Sequence, residues 1–185
     1  MRRRGEQTRQ RLLDAGAAVL PRLGYRDTRV DDIVAAAEVS HGTFYRYFVN
    51  KDDFFRVLAE SASVRMMELL ERLELDAEPA ALRGWLEDWF SAYEVDGGVI
   101  STWQEMQANE ELTEFSQQVA ASVFQRLVGL LERRDLEVAV VDAVLLLAII
   151  ERVPYSVYTL HFLSREEAIE AMVTLIRRGL LALPD

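Results

Sequence analysis

A chain of 185 residues, half of them apolar, can bury a core in one domain or in a small domain joined to a larger one. It contains no cysteine, which excludes a disulfide framework, a thiolate metal site and a thiol nucleophile, and fits a reducing, cytoplasmic setting. The net charge of −10 speaks at first against a nucleic-acid partner, but residues 1–51 carry ten Lys and Arg against six Asp and Glu, while residues 52–185 carry eleven against twenty-five. A basic segment on an acidic chain is the distribution phosphate binding requires. MRRRGEQTRQRL at the start lacks the apolar core of a signal peptide. The longest apolar run, Val138 to Ile150, holds Asp142 and falls short of the roughly 20 residues of a membrane span, so no membrane partner is expected.

In chain order, Leu12, Ala15, Gly16, Val19 and Leu20 trace one face of a first helix from Thr8 to Leu20, stopped by Pro21 and Gly24. Val30, Ile33, Val34 and Ala37 trace a second, which breaks at Glu38-Val39-Ser40. Ser40 is placed to cap a short third helix anchored by Phe44 and Phe48, four residues apart. The other flank of that helix offers His41, Thr43, Tyr45 and Arg46, and Gly42 leaves its backbone bare for close approach by a large partner. This is the layout of a helix-turn-helix whose second helix enters the DNA major groove. Asn50, with Asp53 three residues on, caps a fourth helix that runs to about Leu75 and joins head to body.

Pro79 opens a helix to Val95 bearing Trp85, Trp89, Phe90 and Tyr93, with Gly97-Gly98 as its stop. A short helix from Val99 to about Ala108 carries Trp103 and Met106, and a long one from Glu111 to Arg134 carries Phe124. The most apolar helix spans Leu136 to about Leu160, and Ser164 with Glu167 forms a capping box for the last. The expected fold is all-α with about nine helices: a three-helix head, 1–49, and a helical body, 50–185.

The string VSHGTFYRYFVNKDDFF resembles the signature of the TetR (tetracycline-repressor-like) transcriptional regulators. Val39, Ser40, Gly42, Thr43, Tyr45, Phe48 and Lys51 match it, seven positions in thirteen. Three departures stand out. Glu38 occupies a turn position where the family carries Gly, at about 1 kcal/mol for a left-handed non-glycine residue. Val34 stands where a small Ala is common, and Arg29 where a Ser or Thr cap is usual, so Thr28 is expected to cap the second helix and Arg29 to reach a phosphate. On this reading Arg46 bonds a guanine edge or a phosphate, and His41 and Thr43 lie where base contacts concentrate. Tyr45 and Tyr47 bond phosphates, and Lys51 joins free helix amides in a further phosphate site.

The resemblance also implies a homodimer through the last two helices, for which Val141, Leu145 and Ala148 on one and Ala171, Leu175 and Gly179 on the other form apolar seams. It implies a ligand cavity in the body. Trp85, Trp89, Tyr93 and Trp103 are candidate walls, as are Met106, Phe124, Tyr155 and Tyr158, with Glu151 to orient a ligand. An aromatic stripe at helical spacing is equally the mark of an ordinary core. No catalytic constellation, metal site or cofactor motif is found. The expected function is a repressor that leaves a palindromic operator when a small apolar effector binds. Two alternatives stand beside it: an effector-free dimeric DNA-binding protein whose body is a scaffold, and an all-α enzyme.

Overall fold

The computed structural model describes residues 2–75, 78–101, 110–131 and 136–180. Among these, the regular structure is helical throughout. It comprises α1 (Arg2–Asp27), α2 (Val30–Ala36), α3 (His41–Tyr47), α4 (Lys51–Glu71), α5 (Pro79–Ser101), α6 (Glu110–Leu130), α7 (Leu136–Tyr158) and α8 (Arg165–Thr174), the last running into a π-helical turn, Leu175–Leu180. The fold is all-α, as expected, with two corrections to element bounds. The first helix starts at Arg2, not Thr8, and within it the Thr8 hydroxyl donates to the Arg4 carbonyl (2.9 Å). Pro21 is carried inside that helix, and the break comes at Gly24, whose φ of 73° is in the left-handed region. Further on, Gly97 and Gly98 do not stop α5, which continues to Ser101 with Val99 fully packed, so burial overrides glycine's poor helix propensity. The rest of the expected short helix, with Trp103 and Met106, lies outside the described residues.

The chain divides into two compact units, Met1–Val64 with Val95–Phe115, and Arg65–Glu94 with Ser116–Asp185. The first has an aromatic core. Phe44 and Phe48 lie 5.4 Å apart between ring centroids, Phe48 and Phe54 4.8 Å, and Phe54 and Phe55 5.4 Å, all four rings being buried. Leu12, Leu20, Ile33 and Val34 complete this core from α1 and α2. Gly16 is required here, since a Cβ would sit 2.5 Å from the Phe54 ring. Each such side chain contributes about 1.5–3 kcal/mol through burial.

In the second unit, Trp85 and Trp89 stack at 5.1 Å among Leu70, Leu86, Phe90, Leu146 and Ile150. Their indole N–H groups donate to the carbonyls of Leu69 (2.7 Å) and Ile150 (2.9 Å). Satisfying a buried indole in this way removes a penalty of roughly 1–3 kcal/mol. α8 is held to α5 by Arg83, which pairs with Glu166 (3.2 Å) and Glu170, and by Arg165, which donates to the Glu87 carbonyl (2.7 Å) and Ser91 Oγ (2.8 Å). Its N-terminus carries the expected capping box: Ser164 Oγ accepts from Glu167 N, and the Glu167 carboxylate accepts from Ser164 N (3.0 Å).

Candidate nucleic-acid interface

α2, the four residues 37–40 and α3 form the helix-turn-helix. The end of α2 is closed by Arg11, which donates to the Ala37 carbonyl at 2.6 Å. Glu38 follows with φ 52°, the left-handed conformation its position demands, and costs about 1 kcal/mol there. Ser40 caps α3 as expected, its hydroxyl accepting from Thr43 N (3.2 Å) and meeting Thr43 Oγ1 at 2.9 Å. Asn50 and Asp53 cap α4 reciprocally: Asp53 N donates to Asn50 Oδ1 (2.8 Å), and the Asp53 carboxylate accepts from Val49 N (2.9 Å). That backbone bond, with Arg56 alongside, holds the carboxyl of Asp53 below the usual range.

With Phe44 committed to the core, the opposite face of α3 is open. His41, Gly42, Tyr45 and Arg46 are exposed, Tyr45 to 56%, while Thr43 and Tyr47 are half-buried. A Cβ on Gly42 would meet only Ser40 Oγ at 3.9 Å, so packing within the chain does not account for this glycine. Arg29 is exposed at the N-terminus of α2. Tyr45 sits edge-on to Phe44 at 5.3 Å, which seats its ring and leaves its hydroxyl outward.

Two expected DNA contacts are corrected. Thr28 is fully buried; its hydroxyl donates to the Gly24 carbonyl at 2.6 Å, so it neither caps α2 nor reaches a partner. The cap comes from Asp32, whose carboxylate accepts from Arg29 N at 2.8 Å. Lys51 lies in the first turn of α4 as expected, but its ammonium points inward to the end of α1. It donates to the carbonyls of Tyr25 (2.9 Å), Thr28 (3.0 Å) and Arg26 (3.3 Å) and lies 4.6 Å from the Tyr25 ring centroid. An ammonium has three donors, and all three are taken. Lys51 is therefore a clamp on the α1 C-terminus, where a cation also meets the negative end of the helix dipole. The Tyr25 hydroxyl donates to Asp52 and closes the same corner; burial, then that carboxylate, pushes the phenol well up.

One residue at this surface escaped the sequence reading. Asp31, in the first turn of α2, lies against His41, its carboxylate Oδ1 meeting His41 Nε2. No helical periodicity links residues ten apart across a turn, so spacing alone does not reveal the pair.

In the body, the candidate cavity walls separate into two groups. Trp85 and Trp89 are core, as described, and Phe124 packs on that same core. Tyr93, Tyr155, Tyr158 and Glu151 form a more polar corner. Tyr93 stacks on Tyr158 at 6.2 Å with 15° between planes, and the Tyr158 hydroxyl lies 3.5 Å from Glu94 Oε2. Burial, then the charges of Tyr155 and Glu151, push the Tyr93 phenol up to about 12. Arg152 lies 5.0 Å over the Tyr155 ring. Glu151 keeps an exposed surface, although the protein closes round its carboxyl enough to push it above the ordinary range. A groove of about 600 Å³ is lined by Arg65, Glu68, Leu69, Arg72, Asp88, Ser91 and Ala92, none of them an expected wall. The expected seam is exposed on one copy: Val141 to 58%, Leu145 to 47% and Leu175 to 49%, with Ala148, Ala171 and Gly179 also open.

Residues 12–58 match the family described as bacterial regulatory proteins, tetR family. Over 73 residues the chain is 41% identical to the transcriptional regulator AcuR of Cereibacter sphaeroides, covering 40% of this chain and 33% of that protein. Over 85 residues it is 38% identical to the HTH-type transcriptional repressor DhaR of Mycobacterium sp. strain GP1, covering 45% and 42%. The matches thus span between a third and a half of these relatives' length. Likeness of fold extends further. A TetR-like transcriptional regulator from Rhodococcus sp. RHA1 superposes with a TM-score of 0.73 at 23% identity, over 94% of this chain and 96% of that one. The regulator FadR from Bacillus subtilis, solved in complex with stearoyl-CoA, does so with 0.69 at 21%, over 90% and 96%. These proteins bear the names of regulators, not enzymes.

Proposed function

We propose that this chain, whose residues 12–58 match the tetR family, is a cytoplasmic, homodimeric transcriptional repressor that binds a palindromic operator through α3 and leaves it when a small effector occupies the body. The open face of α3 carries this reading. Its exposed side chains are hydrogen-bonding and aromatic, its glycine has no internal cause, and its buried side is already satisfied by Phe44. Arg46 and His41 are assigned to base edges, Tyr45, Tyr47 and Arg29 to phosphates, and Ser40, Gly42 and Thr43 to close backbone approach. Two such heads on one dimer bind together only if their spacing matches the ~34 Å repeat of the major groove.

For the effector, the supporting feature is the corner of Tyr93, Glu151, Tyr155 and Tyr158, where aromatic surface and a few polar groups meet. The FadR fold neighbour holds stearoyl-CoA, and an apolar ligand with a polar end suits the same mixture here. A body that is only a scaffold is favoured by one observation, the complete packing and internal hydrogen bonding of Trp85 and Trp89.

The test is a band-shift titration on duplexes selected from random DNA, repeated over a range of salt and then with acyl-CoA thioesters of increasing chain length. Affinity should fall steeply with salt through counterion release, and a true effector should release the duplex as it binds. Failure to select any duplex would refute the DNA-binding assignment; release by none of the thioesters would leave the scaffold reading.

A further inference from the structure

The contact between Asp31 and His41 has a consequence for what α3 can read. Asp31 stands in the first turn of α2 and His41 at the first position of α3, and both are largely exposed, with 73% and 52% of their side chains open. The neighbouring charges are otherwise engaged: Asp32 accepts from Arg29 N, and Glu38 lies 4.0 Å from Arg11. The Tyr45 ring neighbours His41, with centroids 6.5 Å apart and 29° between planes. Its Nδ1 has no partner among the described residues.

A carboxylate only accepts hydrogen bonds, so the imidazole nitrogen facing it must bear the proton. In the neutral ring that leaves Nδ1 with a lone pair, and that atom becomes an acceptor. The major groove offers two kinds of donor to such an atom, the N6 amino group of adenine and the N4 amino group of cytosine; guanine and thymine present acceptors at the corresponding positions. We propose that Asp31 is a positioning residue for base readout: it fixes the tautomer and direction of His41 so that His41 Nδ1 selects a base bearing an exocyclic amino group. This rests on the assignment of α3 as the DNA-reading helix and adds the chemistry of one base position to it.

The experiment uses the full chain as wild type, Asp31→Ala, Asp31→Asn and His41→Ala. Nitrogen-15 NMR of the two histidines, under conditions where the rings are neutral, reports the tautomer directly, with His41→Ala supplying the assignment. Selection from random duplex DNA under the same conditions reports base preference. In wild type His41 should carry its proton on Nε2, and one operator position should favour adenine or cytosine. Asp31→Ala should give a mixed tautomer and reduce that preference by about threefold to tenfold, the worth of a single hydrogen bond, at the position where His41→Ala loses it. Asp31→Asn, whose amide can accept from Nε2–H or, turned over, donate to Nε2, should fall between wild type and Asp31→Ala in both properties. A wild-type ring protonated on Nδ1 would overturn the proposal. So would an Asp31→Ala variant that binds all duplexes more tightly with an unchanged consensus, since Asp31 would then act only as a charge near phosphate. Selection of no duplex by wild type would overturn the DNA-reading assignment itself, and this inference with it.

Discussion

Two exposed faces of this chain differ in kind. The open side of α3 carries His41, Tyr45 and Arg46, each with donors or acceptors at its tip, around a glycine that nothing inside the chain requires. The open side of α7 carries Val141, Val144 and Leu145, and Leu175 stands exposed just after α8, all aliphatic and none able to hydrogen-bond through its side chain. An exposed polar helix face gains from a partner that supplies hydrogen bonds and charge, as DNA does. An aliphatic face gains only from being covered, and a second copy of the same face is the simplest cover. On the proposed function, the difference separates two partners, one for each face.

The largest expected effect breaks the aliphatic face. Leu145→Glu or Leu175→Glu places a charge where dimerisation would bury it unpaired, at several kcal/mol. Both positions are exposed on one copy, so helicity should survive while sedimentation shows monomers and operator affinity falls with the loss of the second head. A variant that remains dimeric with normal affinity would place the contact between copies elsewhere.

Next in size is Lys51→Ala, which removes a clamp from three carbonyls at the end of α1. Thermal unfolding should show a loss of about 1–3 kcal/mol, and the slope of DNA affinity against salt should not change. A reduced slope with unchanged stability would return Lys51 to the phosphates. Arg46→Ala and Tyr45→Phe should behave in the opposite way, weakening DNA binding by roughly 1–3 kcal/mol for a lost base contact and less for a phosphate. Their effect on unfolding should stay within about 0.5 kcal/mol, as is usual for exposed positions.

The smallest effect concerns the body. Tyr93 is pushed up to about 12, chiefly by burial, whereas in the unfolded chain a tyrosine titrates near 10. Between those values the unfolded state loses the proton while the folded state keeps it, so stability is whole below about pH 10 and declines as pH rises towards 12. Tyr25 and Tyr158 shift in the same direction. Tyr93→Phe should flatten part of this decline in a melting series at alkaline pH; an unaltered series would mean that Tyr93 is not desolvated.

The elements of the head were legible because their determinants are local. Ser40 meets the amide three residues on, Phe44 and Phe48 share a helix face, and the turn tolerates Glu38 at a small cost. What spacing missed depended on atoms distant in sequence. Lys51 reads as a free cation until the carbonyls of Tyr25, Arg26 and Thr28 are seen beneath it. Thr28 reads as a cap until its hydroxyl is found bonded back to Gly24. In the body, helical spacing marked Trp85, Trp89 and Tyr93 alike, because an aromatic stripe looks the same whether it faces a neighbour or a ligand. Only the destination of each polar atom separates them: the two indoles end on core carbonyls, whereas Tyr93 stacks on Tyr158.

Selection from random double-stranded DNA with the full chain tests both faces at once. The expected product is an inverted repeat, its two halves read by two copies of α3 and its symmetry reporting the dimer. Enrichment of a single unrepeated half-site, or of no sequence at all, would contradict the assignment of one face to DNA and the other to a second copy.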